Sequence, residues 1–313
     1  MMQHKNSALT KLMLKLTNRR RYVEYKKELH EQKQVDFMRS EIESFATTIA
    51  RYQEQPRLQV AHSGNAGDII YSLPTVKRMQ ELSGKNLSYF IKIGQPHQLG
   101  RQYAHPLGSV MMNQRMAEML LPLLSSQTYI DHAAVHGGEC EHVDLDKFRR
   151  AAMMLDRGDI SRWYSLITGV SPHAHLPWLH VQPNKTFSNS IIISRSERYR
   201  NVLLDYSILD KYADVVFVGI ESEYKIMRAI LPKIRWVQVQ DFQNLAEIIA
   251  GSRLFIGNQS FAYSIAEGLK HPRILEVFWQ SPNVTPSGEN GYDLMFQPHF
   301  QPLIDTLYEA ENR

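Results

Sequence analysis

The stretch HSGNAGDIIYSLP, residues 62–74, follows a β-rich run and sets Gly64, Asn65 and Gly67 ahead of a carboxylate, Asp68. Two kinds of chemistry suit an Asp at the mouth of a helix. As a helix cap it accepts backbone N–H groups, a contribution of about 1 kcal/mol. As a general base it takes a proton from a hydroxyl held nearby, and the helix dipole keeps it ionised for that task. Gly64 and Gly67 are read as the residues that let the backbone turn and a ligand approach. A second stretch, LFIGNQSFAYSIAEGLKHPRILEV (254–277), ends a strand at Gly257 and turns through Asn258, Gln259, Ser260 and Phe261 into a helix rich in small residues. The free N–H groups and positive pole of such a helix start suit a diphosphate.

Other residues fall at strand ends. SRSERYRN (194–201) crowds Arg195, Arg198 and Arg200 at one of them. A guanidinium matches phosphate oxygens in pairs, and Arg195 and Arg198 are the expected anion contacts. Gly219 ends another strand, PSGENGYD (286–293) reads as a turn-rich loop, and Glu267, inside the second stretch's helix, reads as solvated. His132, His136, Cys140 and His142 are metal-ligand types within eleven residues, but Gly137-Gly138 breaks the run and no zinc spacing is met, so no metal site is expected. The chain has no GxGxxG and no GxxxxGK[ST], so a bound nucleotide would be held another way. Neither a nucleophile elbow nor a cysteine-protease pattern is present.

The elements that must position these residues alternate. Residues 7–53 contain neither Gly nor Pro and repeat apolar residues at helical spacing, which predicts two or more helices. Strands are predicted at 57–63, 87–94 and 129–135, with helices at 68–82, 111–127, 144–156 and 159–168. GVSPHAHLPW (169–178) reads as a linker. Beyond it, strands at 190–196, 214–220, 235–240, 253–258 and 273–279 enclose helices at 221–231, 242–251 and 260–270. Runs this apolar, separated by single helices, predict a parallel sheet covered on both faces. The expected fold is α/β, with two Rossmann-like domains facing a cleft. Residues 1–55 form a basic helical extension, 56–176 the first domain and 177–313 the second.

A chain of 313 residues, 43% hydrophobic and 22% charged, has a globular composition. One cysteine, Cys140, excludes an internal disulfide framework, and no apolar run approaches a membrane span. The N-terminus lacks the pattern of a secretory signal, so a cytoplasmic protein is expected, with peripheral attachment to the inner membrane face as a variant. Residues 1–34 carry nine Lys/Arg against three Glu, +6 within a total of +4, so the remainder sums to −2. That arm suits anionic lipid or nucleic acid, or is simply a solvated helix.

Together the two stretches resemble the GT-B glycosyltransferases and, within them, the heptosyltransferase-like group, glycosyltransferase family nine. HSGNAGDIIYSLPTVKRM is similar to that group's opening strand, Gly-Asp turn and Leu-Pro helix. LAEIIAGSRLFIGNQSFAYSIAEGLKHPRILEV is similar to its donor segment. The resemblance implies Asp68 as catalytic base, a nucleotide-diphosphate sugar as donor, and its diphosphate at the start of the 260 helix. It places a basic donor contact near Arg195. Gly64, Asn65 and Gly67 then line the acceptor side. No cofactor beyond the donor and no metal is implied. The acceptor would be a cell-surface glycan or a lipid-linked precursor. The sequence departs from the group in having NQSFAYS where an Asp-x-Gly-Pro-x-His type of run is usual, which leaves the sugar open, and in its N-terminal arm. Three other readings compete: transfer to a modified DNA base, epimerisation of a nucleotide sugar, and a non-catalytic nucleotide-sugar binding protein.

Overall fold

The computed structural model describes residues 7–41, 45–96, 110–150 and 155–308. Three helices come first: α1 (Ala8–Thr17), α2 (Arg19–Glu41) and α3 (Phe45–Glu54). Asn18 makes the bend between α1 and α2. Its N–H closes α1 on the Leu14 carbonyl, and its Oδ1 accepts the Arg21 N–H in the first turn of α2.

The first sheet is built from β1 (Leu58–His62), α4 (Ala66–Ser83), β2 (Leu87–Ile91), α5 (Gln114–Ser125), β3 (His132–Val135), β4 (Val143–Asp144), α6 (Lys147–Arg150) and α7 (Ile160–Thr168). Its strand order is β3-β2-β1-β4, all parallel, with Leu58 opposite Leu87 and Val60 opposite Val143. The stretch read as a helix over 144–156 instead opens with an edge strand. Among its described residues only Lys147–Arg150 are helical.

The second sheet comprises β5 (Ile191–Ser194), β6 (Val215–Val218), α8 (Glu221–Ile230), β7 (Arg235–Val237), α9 (Phe242–Gly251), β8 (Leu254–Asn258), α10 (Phe261–Leu269), β9 (Arg273–Glu276), β10 (Gly291–Leu294) and α11 (Phe300–Tyr308). Read from β7, its order is β7-β6-β5-β8-β9-β10, the doubly wound Rossmann arrangement, again all parallel. The loop expected at 286–293 ends in β10, which adds a sixth strand beside β9.

The apolar strands have to be covered twice, and the period-two alternation divides them. Ile191, Ile193, Phe217, Leu254 and Ile256 face Phe300 and Ile304 of α11. Ile192, Val216, Phe255 and Leu275 face the other way, into a cluster that also holds Ile69 and Leu73 of α4, Leu120 of α5 and Ile249 of α9. That cluster runs without a break from one sheet to the other, because α4 packs on α10 and α5 on α9. Burying each such side chain contributes about 2 kcal/mol. The cleft expected between two linked units is therefore filled, below the strand ends, by a layer of helices. A ligand is left the rim where the strands stop.

Candidate functional site

In a parallel sheet the ligand edge lies beyond the carboxyl ends of the strands, where the strand order reverses. In the first sheet that point falls between β1 and β4, in the second between β5 and β8. Helices α4 and α10 begin at these two points, and they touch: a Cβ built on Gly67 would stand 3.9 Å from the Phe261 Cα. The two stretches singled out by sequence thus share one rim. Several helices open on a capping side chain. Asn113, Asp159 and Asp241 each accept a first-turn N–H of α5, α7 and α9. Helices α4 and α10, and α8 behind Ile220, have no such cap.

On the first side, Asp68 occupies the third position of α4. Its Oδ2 accepts the Asn65 N–H at 3.1 Å, half of a capping box, and a 2.6 Å ion pair from Arg149 of α6. Both interactions use one oxygen, and the side chain is mostly buried. Asn65 Oδ1 is buried without a partner. Neither Gly64 nor Gly67 has positive φ, so the turning role expected of them is not what these glycines supply. Gly64 is needed for space: a Cβ there would lie 2.4 Å from the His62 ring, 2.8 Å from Arg149 Nη2 and 2.8 Å from the Asp68 Cβ. Gly67 brings α4 against α10.

Beneath them is a polar cluster that the sequence did not signal. Asp146 accepts the Ser63 N–H at 2.9 Å, lies 3.2 Å from His62 Nδ1 and takes a 3.3 Å contact from Arg149. Burial alone would raise the Asp146 carboxyl, but His62 and the Ser63 N–H outweigh it and hold it well below the usual carboxylate range. His62 Nδ1 also lies 2.8 Å from the Gly64 N–H, and its Nε2 is 2.8 Å from the Tyr164 hydroxyl. The first side is thus a set of acids and bases that satisfy one another.

The second side is different. Arg195 is buried, forms a two-point ion pair with Glu276 (2.7 and 2.9 Å), donates to the Asn201 carbonyl and lies over the Tyr206 ring. Its Nε and Nη2 donors are consumed inside the chain, against the expectation that it contacts an anion. Asn258 is likewise buried and clamps Ser196, accepting its N–H at 3.0 Å and donating to its carbonyl at 2.8 Å. Gln259 holds the following loop through Ser281, Asn283 and the Phe278 N–H. These two side chains shape the rim and present little to a ligand. Arg198 lies over Tyr199, and Phe261 packs on Phe242 with ring centroids 4.2 Å apart. Gly219, at φ 152°, carries a conformation that favours glycine, and a Cβ there would stand 3.1 Å from a Glu223 carboxylate oxygen.

What remains open is Arg200 and Ser260. Arg200 Nε and Nη2 and the Ser260 Oγ are buried and have no hydrogen-bond partner. Ser260 starts α10 yet caps nothing. A buried unpaired donor costs about 1–3 kcal/mol, more for a charged one. Three arginines within six residues gave the same local signal, and only the position of Glu276 decides which is spent. Glu267, read as solvated, is instead buried and binds Lys270, Arg273 and Ser287. In the histidine run, His136 Nε2 contacts the Glu139 carbonyl at 3.0 Å and Glu141 at 3.1 Å, and Cys140 is exposed. No group of three or more His, Cys, Asp or Glu suited to a metal ion occurs among the described residues.

No family model matches the sequence, and no curated protein matches it. Solved structures do. A glycosyltransferase family 9 protein from Veillonella parvula superposes with a TM-score of 0.52 at 12% identity, over 77% of this chain and 86% of that one. The chain has the fold of family 9 glycosyltransferases. The ADP-heptose lipopolysaccharide heptosyltransferase II of Escherichia coli gives 0.51 at 12% identity, over 82% of this chain and all of that one. The iron-containing dodecameric glycosyltransferase TibC of enterotoxigenic E. coli gives 0.50 at 13%, over 76% and 62%. In this family 9 fold the starts of α4 and α10 stand at the rim shared by both sheets. No helix among the described residues is long and apolar enough to cross a membrane.

Proposed function

We propose that the protein is a GT-B glycosyltransferase that moves a sugar from a nucleotide-diphosphate donor to a hydroxyl acceptor. The observation that carries this reading is a set of buried donors without a hydrogen-bond partner on the segments that follow β5 and β8: Arg200 Nε and Nη2, and Ser260 Oγ at the start of α10, where it caps nothing. A diphosphate satisfies all three, and the leaving charge is then stabilised by groups already in place, with no metal ion required. Residues 177–313 form the donor domain and 56–176 the acceptor domain, with Gly64, Asn65 and Gly67 at the acceptor edge.

Asp68 is the base in this reading. Its free oxygen, Oδ1, receives the acceptor proton while Arg149 and the Asn65 N–H hold Oδ2 in place. Hydroxyl deprotonation accompanies bond formation at the anomeric carbon, and the diphosphate departs toward Arg200 and α10. The acceptor is a glycan or a lipid-linked precursor.

A panel of nucleoside diphosphates and nucleotide sugars tests the donor side by thermal shift, since a ligand that prefers the folded state raises the melting temperature by mass action. One nucleotide should stabilise the native chain and lose its effect in Arg200→Ala. No stabilisation by any member would overturn the reading. Product analysis with donor alone separates transfer from epimerisation, which needs no acceptor.

A further inference from the structure

Helix α1 has no buried residue, although it packs against α2. Leu9, Leu12, Met13 and Leu16 recur at i, i+3, i+4 and i+7, and they are 75, 54, 64 and 76% exposed. Scattered exposed leucines are ordinary, but four large apolar side chains along one stripe of a ten-residue helix are not. The charge around the stripe is single-signed. Residues 7–23 contain Lys11, Lys15, Arg19, Arg20 and Arg21 and no Asp or Glu. The far part of α2 belongs to the body, where Phe37 packs against the shared core. Arg20 lies 17 positions before Phe37, about 25 Å along the helix. The tip is therefore basic and amphipathic, and lies about 25 Å along α2 from the residue that packs on the core.

We propose that this tip docks on a lipid surface rich in anionic headgroups. The two features require one partner together: apolar side chains need an acyl boundary, and the cations other than Arg20, which pairs with Glu24 at 3.2 Å, need phosphate. A second copy of the chain would bring the same five cations against the first. A nucleic acid would answer the charge and leave the stripe in water. The inference does not depend on the proposed chemistry, because the hairpin contributes no residue to the rim.

Vesicle sedimentation with the full chain tests it. Binding should be weak on neutral phosphatidylcholine and strong when about 30% phosphatidylglycerol is added. It should fall in about 0.5 M salt, which screens the cationic contribution. The double variant Leu12→Asp, Leu16→Asp should lose about tenfold in affinity for anionic vesicles. Arg19→Glu with Arg21→Glu should lose a similar factor. Both pairs are exposed, so circular dichroism and nucleotide-induced thermal shift should match the native chain. Equal binding to neutral and anionic vesicles, or native-like binding by the Leu variant, would overturn the proposal. So would a native dimer that the Leu variant converts to monomer with vesicle binding unchanged, which would make the stripe a self-interface. Retention on duplex DNA by native and Leu variant alike, without vesicle binding, would assign the cations to nucleic acid and equally end it.

Discussion

The two switch points use the same architecture and opposite electrostatics. Around α4, Asp68 and Asp146 are each answered by a cation or an N–H of the same chain: Arg149, Ser63 and Asn65. After β5, two arginines are treated differently: Arg195 is locked to Glu276, while Arg200 Nε and Nη2 make no hydrogen bond, with the Glu223 carboxylate within electrostatic reach. A set of charges that closes on itself holds a shape and keeps a base oriented. A set left open toward positive charge is suited to an anion. Under the proposed function the difference separates a proton-handling edge from an anion-holding edge, although sequence presents both as a strand followed by Gly or Asn and a helix.

The largest effects come from breaking what is closed. Arg195→Met would leave Glu276 buried without its partner, and loss of one member of such a pair costs about 4 kcal/mol. Chemical denaturation should show that loss, and the double change Arg195→Met, Glu276→Leu should recover only part of it, because the buried Tyr206 hydroxyl and Asn201 N–H then lose their acceptor. If Arg195→Met were as stable as the native chain and bound nucleotide poorly, the two arginines would have to exchange roles. On the opposite side, Asp68→Asn should reduce transfer about 10³-fold, the scale of a lost general base. Nucleotide affinity should stay within about twofold, because the substitution touches the chemical step and not the donor. Undiminished transfer would make Asp68 only a cap.

A smaller effect belongs to the open arginine. Arg200→Ala should weaken nucleoside diphosphate binding about 30-fold by calorimetry, the scale of charge-assisted hydrogen bonds. Folding stability should be unchanged or slightly improved, because a buried unpaired charge is removed with the side chain. Unchanged affinity would leave the comparison of the two edges without a functional meaning.

How much of this could be read in advance depended on how local each signal was. The runs IIIS, VVFV and LFIGN were legible as strands because both their faces are buried and hydropathy alone marks them. GYDL was not: as an edge strand it exposes Tyr292 and Asp293, and a turn-rich segment precedes it. β4 is two residues long and gives no period to read. The helix starts after β1 and β8 were legible from Gly, Asn and Ser at the turn. Arg149, 81 positions from Asp68, was not, and neither was the pairing of Arg195 with Glu276, also 81 positions apart. Those depend on which strand end lies beside which, a property of the folded sheet order.

The two halves also differ in their response to acid. His271, beside β9, is partly buried, and its Nε2 lies 2.9 Å from the Ser252 hydroxyl. Burial, assisted by Arg273, pushes it down to about 4. The folded chain therefore keeps His271 neutral while the unfolded chain takes up a proton below the ordinary value of 6.5. The stability this contributes is complete above that value and is lost as pH falls toward 4, about 1 kcal/mol of it between pH 6.5 and about 5.5. In the first half, Asp146 works at the other end of the scale: its carboxyl is lowered, so its contribution is present above the ordinary carboxylate value and is lost only in stronger acid. Denaturation midpoints in mildly acidic buffer should thus respond to His271 before Asp146. His271→Gln keeps a group able to bond Ser252 without titrating, and it should flatten the curve over this window. If the native and Gln chains lose stability in parallel, the acid-sensitive group lies elsewhere, and the difference between the halves is confined to the rim.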